Sequence, residues 1–173
     1  MKFVGRFILI FVLVVGVVIG WSNYRSTSLS EGVLADRIIV DKSARRLVLM
    51  SRGTELKSYA VALGREPVGP KEREGDNRTP EGVYRIDSRK SDSAFHSALH
   101  ISYPNGADVE AARKKGVSPG GAIMVHGIRN GLGWLGKLHR LVDWTSGCIA
   151  VTDWEIEEIW HVVRDGTVIE IRP

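Results

Sequence analysis

The single cysteine of the chain, Cys148, is the first candidate for chemistry. It stands in the segment Ser146-Gly147-Cys148-Ile149, 22 residues after His126. A catalytic thiol needs a base beside it and N–H donors for the oxyanion, and Gly147 lets the backbone turn and present such groups. These residues predict Cys148 as nucleophile and His126 as its base. The competing interpretation is a small buried thiol, which is the commoner fate of a lone cysteine.

His139 is the alternative base, because it lies nearer to Cys148 in the sequence. It falls in the glycine-rich connection 131–140, which we expect to be mobile, and this favours His126. Lys137, His139 and Arg140 bring positive charge to the same connection. Positive groups beside a thiol stabilise the thiolate. The sequence therefore predicts a Cys148 pKa below the free value of about 8.5.

Four further side chains are candidate substrate-binding groups: Arg129, Ser146, His139 and His100. Arg129, with Lys137, could hold the carboxylate of a diamino acid. His96 and His100 are four residues apart, a spacing that can bind a metal on a helix. Alternation over residues 98–103 instead favours a strand. We therefore predict His100 as a groove-lining residue, with no metal site.

The first 25 residues have the composition of a membrane segment. Phe7 to Trp21 contains no charged residue and follows Lys2 and Arg6. Counted with its flanks, this stretch approaches the roughly 20 residues that span a bilayer. It could also be a cleaved secretory signal, although Val18-Ile19-Gly20 is a poor cleavage site. We therefore expect an inner-membrane anchor, with the rest of the chain exported.

The net charge of +4 is misleading for the remainder of the chain. Residues 1–25 carry three basic and no acidic side chains, which leaves 21 basic and 20 acidic residues beyond them. This balance, without a basic stripe, argues against a nucleic-acid partner.

After a polar linker, residues 26–35, the pattern from residue 36 to 173 predicts one domain. Short β-branched runs predict strands, and the long loop from Gly64 to Gly82 has the length of a functional loop. A helix is expected over 108–115, and a second begins at the capping box Thr152-Asp153-Trp154-Glu155. Gly166 is expected to end it. The fold class is mainly β with two short helices (α+β), arranged as a sandwich or a partly open barrel. The strands are expected at 37–41, 46–50, 56–63, 82–87, 98–103, 122–126 and 167–171.

Several segments together resemble the YkuD-type L,D-transpeptidase catalytic domain. They are His126-Gly127, the segment Ser146-Gly147-Cys148-Ile149, the strands 38–49 and 59–64, and Thr79-Pro80-Glu81-Gly82-Val83-Tyr84. The resemblance covers most of residues 36–172. Two positions depart from it: Ser146 stands where a second histidine is usual, and Ala150 where an arginine is usual. The form around Cys148 resembles the subgroup that includes hydrolases acting between peptidoglycan and a bound lipoprotein.

The resemblance implies a cysteine enzyme of the bacterial cell envelope that acts on peptidoglycan stem peptides, without metal or cofactor. Cys148 would form a thioester, His126 would act as base, and the Gly127 carbonyl would orient the imidazole. The N–H groups of Gly147 and Cys148 would bind the oxyanion. An amine acceptor would give a crosslink, and water would give hydrolysis, with release of a cell-wall-linked lipoprotein as one form. A domain that binds peptidoglycan without catalysis is a further alternative.

Overall fold

Eight strands, three α-helices and one 3-10 segment follow one another in the computed structural model, which describes residues 2–173, with side chains from residue 5 on. Met1 of the predicted segment 1–25 lies outside the described residues. The elements are α1 (Lys2–Ser22), β1 (Ala35–Asp41), β2 (Arg46–Ser51), β3 (Thr54–Ala60), β4 (Gly82–Ser93), β5 (His96–Ile101), α2 (Gly106–Lys114), β6 (Met124–His126), the 3-10 segment (Gly133–Leu141), β7 (Ile149–Ala150), α3 (Asp153–Val162) and β8 (Val163–Arg172).

The strands form one curled sheet in the order β3-β2-β1-β8-β4-β5-β6-β7. The segment after β3 crosses to the far end of the sheet, where Ala62 and Ala150 exchange backbone hydrogen bonds of 2.9 and 2.8 Å. This bridge brings the two ends of the sheet together, so the predicted partly open barrel is confirmed. The pairs β1–β8 and β6–β7 are parallel, a feature that the sequence pattern did not predict.

The core lies inside this curl and is filled by aliphatic side chains from nearly every strand. Ile38, Leu49, Leu99 and Ile169 are fully buried there. On one side α3 closes the core with Ile156 and Ile159, which are also fully buried. The i, i+3 spacing of these isoleucines places both on one helix face. The packed core fixes β5, β6 and β7, the strands that hold the candidate residues.

The predicted strands and the two short helices are confirmed, with small shifts of their ends. Two expectations are wrong. Residues 133–141 form a 3-10 segment instead of a mobile loop, with a kink at Gly136, where φ is 48°. Gly166 lies within β8, since α3 already ends at Val162 and β8 begins at the next residue.

Helix α1 is the one described helix that is long and apolar enough to cross a bilayer. Its apolar side chains are almost all exposed, as expected of a segment that lacks a protein partner along most of its length. Only its last turn contacts the domain, where Ser22 is fully buried against the 3-10 segment. Length and composition alone fit both an anchor and a signal sequence.

Candidate active site

A tight turn before β7 presents Cys148. Gly147 has φ 129°, and a Cβ added there would lie 2.6 Å from the Arg78 carbonyl oxygen, so only glycine fits. The Thr145 hydroxyl donates to the Cys148 carbonyl (2.7 Å) and accepts from the Gly147 N–H (3.1 Å). The Gly147 N–H is therefore already hydrogen-bonded, which corrects its assignment as an oxyanion donor. Of the two predicted donors, the Cys148 N–H is left as the candidate.

The thiol of Cys148 is half-buried and lies next to β6. Its Sγ contacts the Ala122 carbonyl oxygen at 3.7 Å, where the thiol proton can be donated. Burial raises the pKa of the Cys148 thiol, while the Met124 N–H and the positive charge of Lys71 oppose this rise. The prediction of a lowered pKa is therefore wrong, since desolvation disfavours the thiolate more than these two groups favour it. The resting group is a neutral thiol.

His126 lies at the end of β6, opposite Ala150 of β7 in the parallel register. The predicted hydrogen bond to Gly127 is present, with 2.7 Å between His126 Nδ1 and the carbonyl oxygen. Because a carbonyl can only accept, Nδ1 carries the proton and Nε2 keeps its lone pair. Burial lowers the pKa of His126, and the Gly127 carbonyl offsets part of this effect. The imidazole is therefore a neutral base at neutral pH.

Two neighbours fix the His126 ring and the backbone behind it. The ring lies 4.6 Å from the Phe95 ring and 5.7 Å from the Trp144 ring, centroid to centroid. The Gly127 N–H donates to the carbonyl oxygens of Phe95, in the turn before β5, and Ser97, in β5, at 3.1 and 3.2 Å. A Cβ at Gly127 would lie 2.8 Å from an Asp153 oxygen. These contacts hold the base in one orientation.

His139, the alternative base, is buried within the 3-10 segment. Its Nδ1 accepts from Trp144 Nε1, which can only donate, at 3.2 Å. Burial, and to a smaller extent the charges of Arg140 and His126, lower the pKa of His139 to about 3. In the neutral ring the proton is therefore on Nε2, which has no hydrogen-bond partner among the described residues. His139 can offer a proton donor, but its lone pair is already occupied.

The positive cluster predicted beside the thiol is directed elsewhere. Lys137 lies over the rings of Trp21 and Tyr24, with its Nζ 5.9 and 5.6 Å from their centroids. Arg140 pairs with the buried carboxylate of Glu155. Neither side chain can therefore supply the expected stabilisation of the thiolate.

A different cation, Lys71, acts on the thiol from the loop between β3 and β4. Its side chain is buried and its Nζ contacts Asp76 Oδ1 at 2.8 Å. Asp76 also accepts the backbone N–H groups of three neighbouring residues, Glu72, Arg73 and Arg78. This loop packs on the turn that presents Cys148, because Gly64 lies against Asn77 and Gly147 and leaves no room for a Cβ.

One cavity of about 790 Å³ joins the candidate residues. Cys148, His126, Ser146, Arg129 and His139 all line it. Apolar walls come from Phe95, Trp144 and the 3-10 segment, a mixture typical of ligand sites with a few placed polar groups.

His100 is not a groove-lining residue, which corrects that prediction. It lies outside the lining of the cavity, and its Nδ1 pairs with Asp87 at 2.6 Å. His96 pairs with a different carboxylate, Glu157, at 2.8 Å. Within residues 2–173, His, Cys, Asp and Glu form no group of three or more that could hold a metal ion.

Three further residues, Thr145, Lys71 and Ala122, contact or act on Cys148, although the sequence pattern does not single them out. A threonine two residues before a Gly-Cys pair is a known turn-forming signal, so Thr145 could have been found. Ala122 has φ 54°, unusual for a residue with a Cβ, and nothing in its type signals this. Lys71 is one of several cations in a charged loop, and only the tertiary packing singles it out.

Comparison with known proteins gives the same family over most of the chain. The model of the L,D-transpeptidase catalytic domain (YkuD) matches residues 35–171. The Escherichia coli K12 protein named "Putative L,D-transpeptidase YafK" is 33% identical over 116 residues, which are 65% of this chain and 39% of that protein. The chain thus spans well under half the length of this relative.

Solved structures share the fold. Pgp2, the helical cell shape determining protein of Campylobacter jejuni, has a TM-score of 0.61 at 22% identity, covering 91% of this chain and 54% of Pgp2. Bd1075 of Bdellovibrio bacteriovorus has a TM-score of 0.55 at 22% identity, covering 87% of this chain and 52% of that one. The match of the family model over residues 35–171 identifies the chain as a member of the YkuD family of L,D-transpeptidase catalytic domains.

Proposed function

We propose that the protein is a peptidoglycan L,D-transpeptidase that works through a thioester on Cys148. The observation that supports this most directly is that one cavity of a YkuD domain is lined by both a thiol and an imidazole whose tautomer is fixed by the Gly127 carbonyl. A fixed tautomer with a free Nε2 is what a general base for a thiol requires.

The mechanism starts from neutral groups. As Cys148 Sγ attacks the carbonyl carbon of an L-residue linked to a D-centre, His126 Nε2 takes the thiol proton. The oxyanion is stabilised by the Cys148 N–H, and the tetrahedral intermediate collapses to a thioester. The leaving amine takes the proton from His126. An acceptor amine then attacks the thioester carbonyl carbon and gives its proton to His126. As the C–S bond breaks and the new amide forms, His126 passes this proton to the departing sulfur and the thiol is regenerated.

The rim of the cavity offers groups for the stem peptide. Arg129 is exposed and can bind a carboxylate, and Ser146 lies next to the thiol. The unpartnered Nε2–H of His139 would donate to a substrate carbonyl, because a buried donor without a partner is costly. We propose these three as substrate-binding residues.

The proposed location is the bacterial cell envelope, with α1 as a single-pass anchor in the inner membrane and the domain on the periplasmic side. Gly5–Ser22 is apolar enough to span a bilayer, and Arg6 lies at its N-terminal end, on the side expected to stay in the cytoplasm. Peptidoglycan stem peptides, with or without a linked lipoprotein, are the partners that such a location would offer.

The test uses the full chain in detergent with disaccharide tetrapeptides and an amine acceptor. Intact-mass spectrometry should show a thioester at Cys148, and product analysis should show the amine exchanged into the stem. The Cys148→Ala variant should show neither. The His126→Ala variant should lose roughly 10²–10⁴-fold in rate, whereas His100→Ala, a histidine outside the cavity, should retain it.

Two other outcomes of this test would replace transpeptidation by a different function. A thioester followed by release of acid instead of amide would identify water as the acceptor and replace transfer by hydrolysis. A folded enzyme without an adduct at Cys148, whose Cys148→Ala variant keeps full cellular activity, would leave peptidoglycan binding without catalysis and refute the proposal.

A further inference from the structure

The last turn of α1 is joined to one wall of the cavity. Ser22 Oγ donates to the Leu135 carbonyl and accepts the Leu138 N–H at 3.1 Å. Asn23 Nδ2 donates to the Trp134 carbonyl at 2.9 Å. Leu135 and Leu138 also line the cavity. A single hydrogen-bonded unit therefore connects the end of the apolar helix to the candidate active site.

Gly136 makes this approach possible. Its φ is 48°, and an added Cβ would lie 2.5 Å from the Ser22 carbonyl oxygen and 2.9 Å from Asn23 Oδ1. The backbones of α1 and the 3-10 segment are thus in direct contact, as at close-packed interfaces built on glycine. A side chain at residue 136 would separate them.

The same wall also exposes apolar side chains. Trp134 is 56% exposed and Leu141 79%, and neither lines the cavity. Leu132 and Val142 are also exposed and line the cavity. The neighbouring aromatic residues are Trp21, in the last turn of α1, and Tyr24, just after the helix, and Lys137 lies over both rings. Tryptophan, tyrosine and lysine at the end of an apolar helix are the residues that anchor in the headgroup layer of a bilayer.

We propose that Leu132, Trp134, Leu141 and Val142, together with Trp21 and Tyr24, form a membrane-contact face that lies in the headgroup layer of the bilayer. This inference rests on the proposed anchoring of α1. The hydrogen bonds to Ser22 and Asn23 place Trp134 and Leu135 beside the helix end, within reach of the lipid surface. The cavity then opens next to the bilayer, and its substrate is a peptide presented close to the membrane.

The experiment places the full chain, in a Cys148→Ala background, in phosphatidylethanolamine–phosphatidylglycerol vesicles. A fluorophore is attached through Trp134→Cys or Leu141→Cys, and lipids with a doxyl group near the headgroup serve as quenchers. The matched control is Val83→Cys, an apolar residue on β4 that is 60% exposed. Quenching at residues 134 and 141 should exceed that at residue 83 several-fold. Equal quenching at all three positions would overturn the proposal.

Two further probes separate the possible failures. A Val12→Cys probe reports on the anchor: loss of quenching at residues 12 and 134 together means that α1 is not in the bilayer, whereas quenching at 12 alone overturns only the membrane-contact face. If a second copy covers the face, the probe at 134 is shielded from the doxyl lipid, with emission that shifts to the blue as the protein-to-lipid ratio rises. That result would also overturn the proposal.

The role of the α1 contact is tested with two glycines. In the Trp134→Cys background, Gly136→Ala should lower the quenching to the level of residue 83, because its Cβ meets Ser22 and Asn23. Gly131→Ala is the control, since Gly131 has a similar positive φ of 85° but its Cβ would meet nothing within 4 Å. Full quenching in Gly136→Ala, or the same loss in both variants, would contradict docking through α1.

Discussion

At the scale of single residues, the candidate catalytic pair is neutral in the resting state. Burial raises the pKa of the Cys148 thiol and lowers that of the His126 imidazole, so desolvation acts against the charged form of both. An ion pair formed in advance is therefore disfavoured, and the proton is expected to move during attack. The base form of His126 should persist below the ordinary histidine pKa of about 6.5.

We predict that alkylation of Cys148 depends on Lys71. The rate of reaction of the full chain with iodoacetamide is measured between about pH 6 and pH 10. It should be low at neutral pH and should rise at a higher pH than the rate of a free thiol does, because the Cys148 pKa is raised. Lys71→Met removes the nearby positive charge, so the thiol pKa should rise further and the rate at a given pH should fall. Lys137→Met should leave the profile unchanged, because Lys137 lies over Trp21 and Tyr24.

The opposite order of the two lysine variants would show that the 3-10 segment, and not the loop from Gly64 to Gly82, sets the potential at the thiol. A rapidly alkylated Cys148 at neutral pH in the unmodified chain would show that the thiolate is favoured after all. Folding of each variant is checked by thermal unfolding in the same detergent.

The sequence indicates residue types that could do chemistry, but it gives less information on their surroundings. Local motifs indicate Cys148 and His126, which line one cavity. The hydrogen bond to Gly127, which the family resemblance implies, is present. The contacts of Lys137 and Arg140 do not follow from local motifs, because their partners lie elsewhere in the chain. Lys137 lies over Trp21 and Tyr24, and Arg140 pairs with Glu155. Charged residues that are neighbours in the sequence therefore need not surround the same atom, because partners elsewhere in the chain can bind their side chains.

At the scale of elements, the loop from Gly64 to Gly82 is organised around Asp76. Burial opposes its ionisation, but hydrogen bonds from Lys71 and the backbone N–H groups of Arg73, Glu72 and Arg78 lower the Asp76 pKa to about 2. In the unfolded chain the value is the ordinary 3.8. The length of this loop predicts a functional or mobile segment. Its hydrogen bonds to Asp76 hold it together, and it packs on the turn that presents Cys148.

We predict that this loop makes the protein acid-sensitive. Since the folded pKa of Asp76 is depressed, its stabilisation is complete above about pH 4 and is lost as the pH falls towards 2. The shift corresponds to about 2 kcal/mol of unfolding free energy. Asp76→Asn should therefore lower the stability at pH 7 by at least about that amount and flatten its pH dependence between pH 4 and 2.

Glu110→Gln is the matched control. Glu110 is an exposed carboxylate that pairs with Arg113 and Lys114 on the surface of α2, and its replacement should change the melting temperature little. Thermal unfolding of the full chain as a function of pH measures both variants. An unchanged acid slope in Asp76→Asn would show that other carboxylates dominate acid unfolding.

At the scale of the whole molecule, the topology is what the sequence could not supply. Alternation and capping residues predicted most strands and both short helices, because these signals are local. They give no information on which strands are neighbours. Strand β8, the last of the chain, lies at the centre of the sheet, parallel to β1 and antiparallel to β4. The candidate site depends on β8, because β8 pairs with β4, and β4 leads through β5 to β6 and β7.

We therefore predict that Ile169 in β8 is critical for stability and not for chemistry. It is fully buried between Ile38 of β1 and Tyr84 of β4. Ile169→Ala should cost about 2–5 kcal/mol through lost burial and the cavity left behind. The adjacent Val168 is only half-buried, so Val168→Ala is expected to cost much less.

The melting temperature should fall by roughly 5–15 °C for Ile169→Ala. The rate of Cys148 acylation per folded molecule should stay unchanged at low temperature, because β8 contributes no residue to the cavity lining. A loss of rate without a loss of stability would mean that the centre of the sheet positions Cys148 directly.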